Sequence, residues 1–247
     1  MTTRERLAAI AARGHAEGGD LDVVWEALAS RSKAEQRGAA ETLAALGRSG
    51  QGVDAVLDRA LADAAARRRW GATYARALLG PLPPACLPIL LDALGDADGD
   101  LRWASAAILR AQPGLSGLPA ALRGALGSGN PLQRKMALYC LRDLGVRDAG
   151  LEPRLVAALD DPDTGVRLAA MSALVGLATD RPGAARGLVR RLDDADAGVR
   201  RAAAAALGRL GVCADGAHQA LRRACGAEDA ALARAARTAL LRLDAGQ

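Results

Sequence analysis

One interval recurs along the whole chain. Leu28, Leu61, Leu94, Leu126, Leu159, Leu192 and Cys225 follow one another at spacings of 33, 33, 32, 33, 33 and 33 residues. A period of about 20 to 50 residues marks stacked repeats, each burying its apolar face only against its neighbours. With these residues as position 0, position −4 is apolar throughout: Val24, Leu57, Leu90, Leu122, Leu155, Leu188 and Leu221. Position +4 reads Ser32, Ala65, Asp98, Asn130, Asp163, Asp196 and Asp229. All but Ala65 have a side-chain oxygen that accepts an unpaired N–H at a helix start. Pro131, directly after Asn130, suits a first helical turn. Glycine at +19 (Gly47, Gly80, Gly145, Gly211) suits a left-handed C-cap. Each repeat therefore reads as helix A ending at position 0 and helix B from about +5 to +18, with no strand signal.

The chain reads as all-α: a right-handed α-solenoid of about seven two-helix repeats, continuous over residues 1–247. Residues 1–19 are expected to form an N-terminal capping helix. Thr2 and Glu5 match a capping box, Leu7 and Ile10 give one apolar stripe, and Asp20 is placed to cap the next helix.

Small side chains must fill this stack. Apolar residues make up 51% of the chain, aromatics only 2%, and Phe is absent, so alanine supplies much of the core. The net charge of +5 favours acidic partners. No uncharged apolar run approaches the roughly 18 residues of a membrane span, and the N-terminus lacks a secretory signal pattern. Cys86, Cys140, Cys213 and Cys225 lack a paired spacing. Reduced thiols and a cytoplasmic location are expected. Cys213, His218 and Cys225 are metal-ligating types, but Cys225 occupies the buried position 0, so no metal or other cofactor is expected.

Two further rows travel together. Position +2 holds Asp63, Asp96, Asp161 and Asp194, and position +8 holds Arg69, Arg102, Arg134, Arg167 and Arg200. Wherever the acid is present, the arginine is too, and only the first and last repeats lack the arginine. A turn carboxylate of the same or an adjacent repeat is expected to bond each guanidinium, forming a structural ladder.

Asp163-Thr-Gly-Val-Arg-Leu-Ala-Ala-Met-Ser-Ala-Leu and Asp196-Ala-Gly-Val-Arg-Arg-Ala-Ala-Ala-Ala-Ala-Leu resemble the D-x-x-V-R-x-x-A-x-x-A-L signature of HEAT-like repeats, the subtype also seen in phycobilisome-lyase-like proteins. The resemblance covers residues 20–243. It implies a helical solenoid whose B helices line the concave surface.

A step of 100° per residue puts +7, +11, +14, +15 and +18 on the buried arc of helix B, and +9, +12, +13, +16 and +17 on the open one. Trp70, Tyr74, Trp103 and Tyr139 then share one exposed face in three consecutive repeats. Arg37, Arg110, Lys135, Arg142, Arg201, Arg209, Arg234, Arg237 and Arg242 lie on the same arc, against only Glu41 and Asp143. Exposed aromatics among cations are a common recognition surface. Trp70, Tyr74, Trp103, Arg110, Lys135, Tyr139 and Arg142 are the expected ligand contacts.

The favoured reading is a scaffold whose basic groove holds an acidic protein segment. A second is a DNA-binding enzyme. Tyr139 and Asp143, four residues apart, resemble the aromatic and catalytic Asp of HEAT-like alkylpurine DNA glycosylases. That resemblance implies that Asp143 stabilises positive charge developing on a sugar while Arg110, Lys135 and Arg142 hold phosphates. A third, implied by the phycobilisome-lyase resemblance, is a lyase or small-molecule enzyme. No Ser-His-Asp set or glycine-rich phosphate loop supports that third reading.

Overall fold

The computed structural model describes residues 1–148, 150–212, 214 and 216–245. Every regular element among them is helical. They form two compact units, residues 1–118 and 119–247.

The first unit opens with α1 (Thr3–Arg13), closed at its start by the reciprocal Thr2–Glu5 capping box and at its end by left-handed Gly14. Three helix pairs follow: α2 (Asp20–Leu28) with α3 (Lys33–Arg48), α4 (Asp54–Leu61) with α5 (Ala66–Leu79), and α6 (Cys86–Ala93) with α7 (Gly99–Ala111). Leu7, Ile10, Val24, Leu28, Leu43 and Leu57 belong to one buried cluster. Asp20 does not cap α2; it takes ion pairs from Arg6 and Arg13, tying α1 to the first repeat.

The second unit holds α8 (Leu118–Ala125), which begins at its boundary, with α9 (Pro131–Asp143), and α10 (Glu152–Ala157) with α11 (Thr164–Leu177). Then come α12 (Arg181–Arg190) with α13 (Ala197–Leu210), and α14 (Ala217–Cys225) with α15 (Ala230–Ala245). Short 3-10 turns, Ala158–Asp160 and Arg191–Asp193, extend α10 and α12 toward position 0. Helix pairs on this frame are the architecture of an α-solenoid.

The caps fall where the period places them. Ser32, Asp98, Asn130, Asp163 and Asp196 each accept a backbone N–H of the helix they precede, and Asp229 does the same for Ala231 and Leu232. All seven residues at −4 are buried. Of the glycines expected at C-caps, Gly211 caps α13 in the left-handed region and Gly145 has φ 64°. Gly47 instead lies within α3, where a Cβ would sit 3.0 Å from Leu79 and 3.1 Å from Val53.

Position +12 also departs from expectation. Ala40, Thr73, Ala106, Leu138, Met171 and Ala204 are buried there. Arg237 at the same position of α15 is exposed.

B helices pack in succession: α1, α3 and α5 in the first unit, and α9, α11, α13 and α15 in the second. At Gly208 of α13 a Cβ would meet the Ala239 Cα of α15 at 2.8 Å. Backbone cannot swing aside as a side chain does. Gly208→Ala should cost about 1–3 kcal/mol by overpacking. Gly124, in α8 with nothing within 4 Å of its Cβ position, should gain from the same change through helix propensity, by up to about 1 kcal/mol. Paired denaturant melts check the contrast; equal losses would contradict it.

Candidate functional site

The +2 and +8 rows build the turns. In the second unit Arg134 Nε and Nη2 each donate to a separate oxygen of Asp161, in the next repeat, at 2.8 Å. Arg167 Nη2 donates to Asp194 at 2.9 Å. The Nη1 of each arginine reaches back to carbonyls of its own turn: Ser128 for Arg134, Asp161 and Pro162 for Arg167. Asp161 and Asp194 also accept the N–H two residues on, at 2.9 Å in both cases. Burial pushes the Asp194 carboxyl up, but the Asp196 N–H and Arg167 outweigh it and hold it below its ordinary value. Asp161 is lowered in the same way, burial being outweighed by Arg134 and the Asp163 N–H. Arg200 makes only the carbonyl half, to Asp194 and Ala195, since the next repeat has Ala227 at +2.

In the first unit the carbonyl half is present as well. Arg69 Nη1 donates to the carbonyls of Asp63 and Ala64, and Arg102 Nη1 to those of Asp96 and Ala97. Asp63 does not receive an arginine from the preceding repeat, where Gln36 stands at +8; it pairs with Arg68 at 2.9 Å. No ion pair joins Arg69 to Asp96; both line a cavity of about 130 Å³.

The four expected surface aromatics separate into different environments. Trp70 is only 4% exposed, a correction to the open face assigned to it. Its indole Nε1 donates to Ser105 Oγ at 2.9 Å, and its ring stacks on Tyr74 at 5.5 Å and 7°. The cause lies in the stacking of the repeat: α5 and α7 do not pack backbone to backbone as successive B helices elsewhere within each unit do. The indole fills the gap. Tyr74 is half-buried, whereas Trp103, at 52%, and Arg110 are exposed on α7.

On α9, Arg142 lies over the Tyr139 ring at 5.2 Å and bonds Asp143 through Nε at 2.8 Å and Ser172 through Nη1 at 2.7 Å. Asp143 is thus an ion-pair partner of its neighbour. Lys135 is half-buried over Gly165 of the next repeat.

Sequence reading missed two features. Arg59 and Arg68 stand 4.2 and 4.5 Å from the ring centroid of Trp25. Arg68 occupies position +7, which holds Val166 and Val199 in later repeats; a cation in that row was the signal. Lys33 bridges to Asp98 at 3.0 Å and Asp100 at 2.7 Å, joining the first repeat to the third. Nothing in a 33-residue period announces a contact 65 residues apart.

The cationic face is clearest on α13 and α15. Arg201, Arg209, Arg234, Arg237 and Arg242 are exposed there. A shallow groove of about 330 Å³ runs between the helices, floored by Ala205, Gly208, Ala235 and Ala239 and bordered by Arg234 and Arg242. Leu241, beside Arg242, is 71% exposed.

Cys86, Cys140 and Cys225 form no disulfide; the first two are buried and Cys225 is half-buried. His15 contacts Glu17, and His218 contacts Asp244. Among the described residues no group of three His, Cys, Asp or Glu could hold a metal. Cys213 lies outside the described residues. No described helix is long and apolar enough to cross a membrane.

The arginine–carboxylate rungs and their caps are fullest in the last four repeats, and a family match falls on three of them. Residues 152–242 match the family model of HEAT repeats. A crystal structure of an engineered protein resembles the chain with TM-score 0.55 at 21% identity, over 93% of this chain and 69% of that one. The X-ray structure of the Escherichia coli protein YibA resembles it with TM-score 0.54 at 17% identity, over 90% and 92%. No curated protein matches the sequence. At these identities the structural likenesses bear on fold alone. They agree with an α-solenoid.

Proposed function

We propose that the chain is a binding scaffold whose cationic face on α13 and α15 holds an acidic protein segment. The observation that carries this reading is five exposed arginines over a floor of alanine and glycine. A small-residue floor admits close approach of an apolar helix or strand face, and arginines along the border meet carboxylates on its flanks. Leu241, next to Arg242 in sequence, adds exposed apolar surface on α15. A protein segment fits better than single-stranded nucleic acid, because α11, α13 and α15 carry no aromatic on which bases would stack. The glycosylase-like reading is further weakened by the ion pair that engages Asp143.

Hydrogen–deuterium exchange of the full chain with an acidic amphipathic peptide, and separately with duplex DNA, tests the proposal. Protection by the peptide should concentrate on α13 and α15. Protection elsewhere, or by DNA and not by peptide, overturns it.

A further inference from the structure

We infer that the first unit holds a second, independent site, a pocket for a small zwitterion between Arg69 and Asp96. The ladder itself points to it. Arg69 stands at +8 of its repeat and Asp96 at +2 of the next, the same register in which Arg134 binds Asp161 and Arg167 binds Asp194. Those rungs are closed at 2.8 and 2.9 Å. The Arg69 rung is open, although Nη1 is fixed on the carbonyls of Asp63 and Ala64 as in its counterparts. The guanidinium edge that meets a carboxylate in the second unit meets a cavity here.

That cavity is built into the fold. Its space arises where α5 and α7 stand apart, and Trp70, locked on Ser105 and stacked on Tyr74, forms a rigid aromatic wall. Ile89 and Leu101 add apolar surface, and Asp92 lines the cavity as well. Gln36, only 3% exposed, spends its amide nitrogen on the carbonyls of Leu28 and Arg67, which leaves its side-chain oxygen to offer. The Lys33 bridge to Asp98 and Asp100 ties α3 to α7 and fixes the spacing of the repeats on either side.

The chemistry selects the ligand. A carboxylate meets the outer edge of Arg69 in a charge-assisted pair, an ammonium meets Asp96 and Asp92, and a short carbon chain lies against the indole. A cavity of about 130 Å³ admits a molecule of short-amino-acid size. Neither a simple anion nor a simple cation satisfies both ends, so each forgoes one of the two charge-assisted contacts.

The test titrates the full chain with glycine, alanine and γ-aminobutyrate, with acetate and ethylammonium as single-charge controls. Calorimetry gives affinity, and Trp70 fluorescence in a Trp25→Phe, Trp103→Phe background reports occupancy. At least one zwitterion should bind saturably and at least tenfold more tightly than either control. Asp96→Asn keeps the oxygen that accepts the Asp98 N–H at 2.7 Å, so it preserves the turn while removing the charge. It should weaken binding at least tenfold with unchanged melting. Absence of saturable binding, controls that match the zwitterions, or an unaffected Asp96→Asn variant would overturn the inference.

Discussion

Replacing Trp70 by alanine should cost about 3–5 kcal/mol, the range for truncating a buried large aromatic. The indole is 4% exposed, donates to Ser105 and occupies the space where α5 and α7 stand apart. Alanine would leave a void between the two helices and a buried hydroxyl without its donor. Trp103 supplies the control on the next B helix at the same register. It is 52% exposed, so Trp103→Ala should cost well under half as much. Urea melts of both variants separate the two positions, and comparable losses would show that Trp70 is not the spacer described.

Removing the carboxylate of Asp194 is the second large effect. Its side chain is 4% exposed and receives Arg167, Arg191 and the Asp196 N–H. Truncation to alanine strands the part-buried Arg167 guanidinium, leaves Arg191 with Asp160 alone and frees the turn, a loss of about 3 kcal/mol for a broken buried pair. Asp194→Asn, which keeps an acceptor for the turn N–H, should lose less. The pH dependence follows from the lowered folded value of this carboxyl. Its contribution is complete above the ordinary unfolded value of about 3.9 and disappears as pH falls through the folded one. Wild type should therefore lose melting temperature below about pH 4, and Asp194→Asn should lose less of it over the same interval. Parallel acid titrations of the two proteins check this. An identical acid slope in both would remove Asp194 from the account.

These two residues also show where sequence reading reaches its limit. Asp194 was legible because its role is local and repeated. A turn acid two residues before a cap and an arginine six residues later recur in fixed register, and the caps at Asp98, Asn130, Asp163, Asp196 and Asp229 formed as their types required. The period alone could place them. Trp70 was not legible, because the period gives the direction of position +9 but not the distance to the following B helix. Where α7 stands away from α5, the same angular position faces a gap. Position +12 failed for the opposite reason: close packing of neighbouring B helices widened the buried arc to include Ala40 and Ala204. Gly47 carried the right residue type at the right position, yet α3 ran one residue beyond it to Arg48. Local rules fixed the elements; the spacing between repeats decided which side chains remained available.

The central functional claim is that arginines on α13 and α15 bind an acidic segment. It is tested most directly by fluorescence anisotropy of a labelled acidic amphipathic peptide titrated with wild type and with an Arg234→Glu, Arg242→Glu double variant. Both side chains border the groove. Wild-type affinity should fall as salt rises. The double variant should bind at least tenfold more weakly, about 1.4 kcal/mol, with unchanged helicity and melting. A folded double variant that binds the peptide as tightly as wild type would contradict the account.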